Sequence, residues 1–521
     1  MENLSFRTPA SNEILYTSAD GNVVTPNETD VFGANIVSNT YKNGQGIIIF
    51  DAPVISIGSS AFSWCRSLTS VTIPDSVTSI GEGAFYGCSS LTSIFIPDSV
   101  TEIGEEAFYN CYSLTSVTIP DSVTEIGESA FEDCSRLTSV TIPDSVTKIG
   151  EAAFQGCSSL TSVTIGDSVT EIGKDAFIYC CNLASIAIPN SIIKIKDSAF
   201  HSCSNLTRVD VSELSAWCKI DFEYYSANPL CNGAQLFLND TMVTDLTIPS
   251  GITEIRNYAF YGCTSLTSVT IRDSVTEIGE SAFFGCTSLT SITIPGSVTE
   301  IGESAFFSCT SLTSITIGNS VTKIGNNAFY GCTSLASITI PDSVTEIGYE
   351  AFSGCSSLTS VTIGDSVTEI GFETFRGCTS LTNVVIPYSV ISIKKGTFRD
   401  CTGLVDIIIP DSVTSIGNFA FSSCCNLTSV TIPDSIIEIG DSAFRWCRRL
   451  KDVYCKPTIP PNGGNYMFDD NASHLPALCK ITTHFSVNDR TIYVPSASVK
   501  EYKAAKHWWW YASAIVGYDF E

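Results

Sequence analysis

Basic side chains are scarce in this chain: 27 Lys and Arg stand against 54 Asp and Glu, for a net charge of -27 at pH 7. A surface this acidic repels phosphate backbones and anionic lipid, which argues against nucleic acid or bare membrane as a partner. Charge of either sign is also sparse, at 16% of residues, so the chain does not read as a disordered acidic tail. No apolar run approaches 18 residues, so no segment reads as a transmembrane helix. The opening MENLSFRTPASNEILY lacks the basic start and apolar stretch of a secretory signal. Only four histidines occur, at His201, His474, His484 and His507, and none sits in HExxH. GxSxG and the phosphate-cradling GxxxxGK[ST] are missing too. The sequence therefore offers no catalytic residue, no cofactor and no metal site, and reads as non-enzymatic.

A repeat is there instead. Phe62, Phe85, Phe108, Phe131, Phe154, Phe177 and Phe200 follow one another at intervals of 23 residues, and nine more keep the spacing from Phe260 to Phe444. Three residues after each of these sixteen comes a cysteine, Cys65 through Cys447. The unit LTSVTIPDSVTEIGESAFEDCSR, from Leu114, explains its own composition. Leu114, Val117 and Ile119 have the spacing of a strand with one buried face. Pro120 ends that strand because it cannot donate to a ladder. Val123 and Ile126 turn inward next, Gly127 is expected to relax the corner, and Ala130, Phe131 and Cys134 fill the far side through a short helical or irregular arc. A single coil cannot bury its apolar side, whereas stacked coils bury a continuous core. The fold class is therefore a repeat solenoid of about seventeen coils, a leucine-rich-repeat arc with a parallel concave sheet, turns or helical arcs on the convex side, and capped ends.

The motif LxxVxIPxSVxxIGxxAFxxC, over residues 45 to 455, resembles the BspA-like and treponemal-type bacterial leucine-rich repeats, in the form found in gut Bacteroidetes and some protists. The resemblance implies a cell-surface or secreted protein that binds host proteins or other cells. The sequence alone leaves the location and the oligomeric state open.

Departures from the period mark the organisation. Residues 1–44 read as an N-terminal cap, 45–205 as a first repeat array, 243–455 as a second, and 456–521 as a C-terminal cap built from the strand TIYVP and a helix over SVKEYKAAKHWWWYASAIV. Between the arrays, Leu206 to Val243 spans 37 residues instead of 23, an insertion of 14. This irregular repeat, 206–242, carries Trp217, Phe222, Tyr224, Tyr225 and Phe237, read as a small core of their own, and a hairpin turning at Asn239–Asp240. Of Trp508, Trp509 and Trp510, two are expected to pack and one to face outward.

Cysteine at one per coil points each thiol the same way, which suits a buried small side chain rather than a metal cluster. Cys180–Cys181 and Cys424–Cys425 should each add an outward thiol. Cys218 with Cys231, or Cys455 with Cys479, are pairs the sequence leaves open as disulfides.

On the LxxVxI strand, positions three and five point outward. Most coils place Ser and Thr there, as at Ser116 and Thr118, Ser139 and Thr141, Ser314 and Thr316, which gives a neutral hydroxyl carpet. Two neighbouring coils break it: LTNVVIPYS and LVDIIIPDS put Asn383, Val385, Asp406 and Ile408 on the concave sheet, with Tyr388 at its edge. Arg376, Lys394, Lys395 and Arg399 are expected to gather nearby as a basic island. Phe95 interrupts the carpet once more. An apolar centre with a polar rim is the usual anatomy of a protein contact. The sequence thus supports an interaction protein, adhesin-like, taking a protein or glycan on the concave face. A structural spacer is the alternative, and an enzyme with its site in the insertion or C-terminal cap is a remoter one.

Overall fold

The computed structural model describes residues 7–469 and 490–520. The chain is a β-solenoid of parallel strands with about 19 turns and little helix. It divides into two compact units, Met1–Val243 and Thr244–Glu521. The same coil is built in both.

In the coil that begins at Leu114, the side chains of Leu114, Val117, Ile119, Val123, Ile126, Ala130, Phe131 and Cys134 are all buried. Coils then join along three ladders. The LxxVxI segments form a first parallel sheet, with Ser139–Ile142 in register on Ser162–Ile165 and Ser337–Ile340 on Ser360–Ile363. The Glu-Ile pairs form a second, in which Ile126 lies between Ile103 and Ile149. The third runs through the Ala-Phe arc, where Phe306 N–H donates to Ala328 C=O at 2.8 Å and Ser308 N–H to Tyr330 C=O at 2.7 Å. Alternate N–H groups of the arc go to the next coil and the others bond three residues back, as Phe307 N–H does to Ser304 C=O, so the arc forms turns rather than helix.

Consensus hydroxyls serve the same stacking. Thr138 Oγ1 donates to the Thr115 carbonyl at 3.2 Å, and Ser145 Oγ to the Val123 carbonyl at 2.6 Å. Gly127 has a role other than relaxing a corner, because its φ is not positive. A Cβ there would lie 2.6 Å from the Gly104 carbonyl carbon. The column of glycines lets backbone stack on backbone, while the left-handed positions of this coil are Ser129 and Asp133.

In the first unit, Glu13–Ser18 pairs antiparallel with both Gln45–Phe50 and Leu68–Thr72, and Ile36–Lys42 adds outside Gln45–Phe50. Gln45–Phe50 thus belongs with the N-terminal strands. The hairpin Gln235–Leu238 and Thr241–Met242 turns at Asn239 and Asp240, both at positive φ. Trp217 and Phe222 are buried with ring centroids 5.2 Å apart, while Tyr224 and Tyr225 are exposed.

In the second unit the coil pattern runs on past Cys455. Asn462–Gly463 joins the second sheet, and Phe468 stacks on Phe444 at 5.4 Å. Thr491–Pro495 and Ile515–Tyr518 extend the first sheet. The expected long terminal helix is confined to Val499–Ala504, and its last residues form a strand. Trp508 is fully buried, with Nε1 donating to the Pro461 carbonyl at 2.8 Å; Trp509 and Trp510 are exposed, so one packs rather than two. Buried Arg490 donates to the Leu450 carbonyl at 2.9 Å and the Cys447 carbonyl at 3.1 Å, tying the segment before Thr491–Pro495 to the coil that holds Phe444.

Cys218, Cys231 and Cys455 are free thiols, so neither open pair forms; Cys479 lies outside the described residues. Cys181 is half-buried, but Cys425 is buried and disulfide-bonded, so it offers no outward thiol.

Candidate functional site

At the interruption of the carpet in the second unit the first sheet is thinly bonded. Asn383–Val384 pairs with Ser360–Val361, but beyond it Val385 and Ile408 meet only through an isolated parallel bridge. Regular strand resumes at Ser429–Ile432. The Asp406 carboxylate accepts a hydrogen bond from the Ile407 backbone N–H at 2.9 Å. A short acidic side chain can engage adjacent backbone in this way.

Val385 is 62% exposed and Ile408 66%, so a pair of branched apolar side chains stands open to solvent, one coil apart. Tyr388 is 76% exposed, and Asn383 and Asp406 are exposed as well. A depression of about 400 Å³ is lined by Tyr388, Asp406, Ile408, Asp411, Thr431 and Lys456. Three exposed apolar residues of this region escaped the sequence reading: Val405, Ile391 and Ile437. Each replaces a consensus Thr, which was the available signal. Phe95 is 57% exposed on the first sheet beside Thr72, but it belongs to the first unit and the other five candidates to the second.

The basic island does not stand free. Arg376 lies 2.7 Å from Glu373 and 3.7 Å from Glu350, Arg399 lies 3.5 Å from Asp400, and Lys394 is paired with Glu369. These acids neutralise three of the four cations expected to steer a partner, and the fourth, Lys395, is exposed. Arg376 and Arg399 also follow Phe375 and Phe398 on the arc, away from the first sheet. Among the described residues, no group of three or more His, Cys, Asp and Glu could hold a metal ion. No helix among them is long and apolar enough to cross a membrane.

Comparison with known proteins places this geometry. A family model described as BspA type leucine rich repeat region (6 copies) matches residues 35–147, 124–219, 233–359, 306–397 and 368–476. A leucine-rich repeat protein from Bacteroides ovatus is 34% identical over 71% of this chain and 90% of its own, with a TM-score of 0.51. A leucine rich cell surface protein from Faecalibacterium prausnitzii is also 34% identical, over 63% of this chain and 86% of its own, with a TM-score of 0.41. No curated protein matches the chain. The chain belongs to the BspA-type leucine-rich-repeat family.

Proposed function

We propose that this BspA-type leucine-rich-repeat chain is a non-enzymatic, adhesin-like interaction protein that binds a protein partner on its first sheet, around Val385 and Ile408. A place at the cell surface or outside the cell belongs to this reading. The observation that carries it is the exposure of Val385 and Ile408 side by side where most coils present Ser and Thr. Leaving such side chains in water forgoes roughly 1.5–3 kcal/mol each in burial energy, which a partner recovers by covering them. Tyr388 adds an exposed aromatic at the edge, and Asn383 and Asp406 supply the polar rim. Interfaces concentrate their energy in a few such anchors. Phe95 is a second, weaker candidate of the same kind in the first unit.

The experiment immobilises the intact chain and screens defined matrix and cell-surface proteins for binding. The selected partner is then measured against the variant Val385→Thr/Ile408→Thr/Tyr388→Asp. The variant should melt as the parent does, because it restores consensus residues. It should bind at least tenfold more weakly, about 1.4 kcal/mol. Equal affinity would remove this patch from the function.

A further inference from the structure

The first sheet of the second unit ends in tyrosines. Position five of the strand is Thr431 in one coil, Tyr454 in the next and Tyr493 in the one after, in direct register. The Tyr454 and Tyr493 rings stack 4.7 Å apart and within 10° of parallel. Tyr518 stands across both, 5.8 Å from Tyr454 at 68° and 5.5 Å from Tyr493 at 70°. The pair thus braces a third ring that is 43% exposed. Beside that ring opens a depression of about 450 Å³, lined by Asp434, Lys456, Thr458, Ser496, Tyr518 and Asp519.

We propose that this depression is a carbohydrate-binding site, with Tyr518 as its platform, for a neutral oligosaccharide. A pyranose has a face of polarised C–H bonds and a rim of hydroxyls. The negative face of an aromatic ring attracts the first. The rim needs acceptors and donors in one place: the Asp434 and Asp519 carboxylates accept, Lys456 donates, and the Thr458 and Ser496 hydroxyls do both. Two carboxylates against one ammonium disfavour phosphorylated, sulfated or uronic ligands. Pro495, Ala497 and Phe520, whose ring lies 4.9 Å from Tyr518, complete the lining, so apolar surface and a polar rim meet in one depression, as a pyranose requires. The volume falls within the range of about 300–1,000 Å³ common to small-ligand sites. Bracing matters because a ring held by two others loses little freedom when a sugar settles on it.

This site is distinct from the Val385–Ile408 patch, although Lys456 also borders the depression there. The test therefore leaves Lys456 unchanged. The intact chain is run in native gels cast with dextran, a mixed-linkage β-glucan, mannan, galactan or xylan, and its retardation is converted to affinity. At least one polymer should retard it. Tyr518→Ala should weaken that binding tenfold or more, and Tyr518→Phe should preserve it. Asp519→Asn, which alters the rim and keeps every ring, should weaken it severalfold. Trp509→Ala, an exposed aromatic away from the depression, and Val385→Thr/Ile408→Thr should bind as the parent does. The proposal is overturned if no polymer retards the chain, if a folded Tyr518→Ala binds like the parent, or if Trp509→Ala loses as much as Tyr518→Ala.

Discussion

Cys309 donates its S–H to the carbonyl oxygen of Phe283, one coil back, at 3.2 Å. The relationship recurs along both units, as between Cys134 and Phe108 at 3.3 Å and between Cys447 and Phe421 at 3.1 Å. The same Phe carbonyl accepts the N–H of its own coil's cysteine, as Cys286 N–H donates to Phe283 C=O at 3.2 Å. The cysteine column thus fills space and gives a second donor to a carbonyl with two lone pairs. A methyl group in its place would fill part of the space and donate nothing.

Burial disfavours the thiolate throughout this column: Cys309 is raised well above its ordinary value and Cys332 is pushed up to about 12. Because the thiolate is the reactive form, these thiols should stay silent toward a disulfide reagent in native protein. Titration should find the repeat cysteines unreactive, apart from half-buried Cys65, until denaturant is added. Rapid native labelling of Cys309 would contradict the burial.

Phe306 stacks on Phe329 with centroids 5.3 Å apart and planes 1° from parallel, and on Phe283 at 5.4 Å. Replacing it with Ala should cost about 3–5 kcal/mol, measured by denaturant unfolding. Hydrogen exchange should rise first in the coils on either side, since each coil contacts its neighbours. An unchanged melting temperature would mean that the column is not core.

Two glycines with the same side-chain chemistry should behave oppositely. A Cβ on Gly150 would sit 2.6 Å from the Gly127 carbonyl carbon, whereas a Cβ on Gly296 meets nothing within 4 Å. Gly150→Ala should destabilise by about 1–3 kcal/mol through overpacking against backbone. Gly296→Ala should be neutral or slightly stabilising, through the unfolded chain's lost freedom. Equal effects at the two positions would refute the close-stacking account.

Glu277 lies between Glu254 and Glu300 on the second sheet. Its pKa is raised, first by desolvation and then by those two carboxylates. The folded state therefore disfavours the charged form, and the cost is fully present above the raised value. It is relieved as pH falls from that value to the ordinary glutamate range. Glu277→Gln should raise the melting temperature slightly at pH 7, an effect kept small by solvent screening, and the gain should vanish near pH 4. A gain that persisted in acid would point to packing rather than charge.

Much of the fold could be read in the chain itself, because a strict period of 23 residues with Phe and Cys in fixed places admits few arrangements. The Asn239–Asp240 hairpin was legible for a similar reason, since turn chemistry is local. The terminal helix was not: Ile515–Tyr518 has apolar spacing that suits a helix, but the open sheet edge at Thr491–Pro495 takes it as a strand. The coil ending in Phe468 escaped because Pro and Gly replace its consensus, while the Phe column still receives its ring. The expected basic island is neutralised at three of its four residues by charge pairing. Glu350 and Glu369 reach Arg376 and Lys394 from the preceding coil, which depends on stacking, whereas Glu373 and Asp400 lie beside Arg376 and Arg399 in the same coil and were there to be read. Exposure of Val385 and Ile408 could be read from strand alternation. The bond from the Ile407 N–H to the Asp406 carboxylate could not.

The central claim is that binding resides where the carpet breaks and not in the carpet. The most direct measurement compares two variants against one partner: the patch reverted to consensus at Val385, Ile408 and Tyr388, and a chain from which two consensus coils, 268–313, are excised in register. The account predicts that reversion weakens binding tenfold or more while excision leaves the affinity unchanged. Affinity that falls with the excised coils and survives reversion would contradict it.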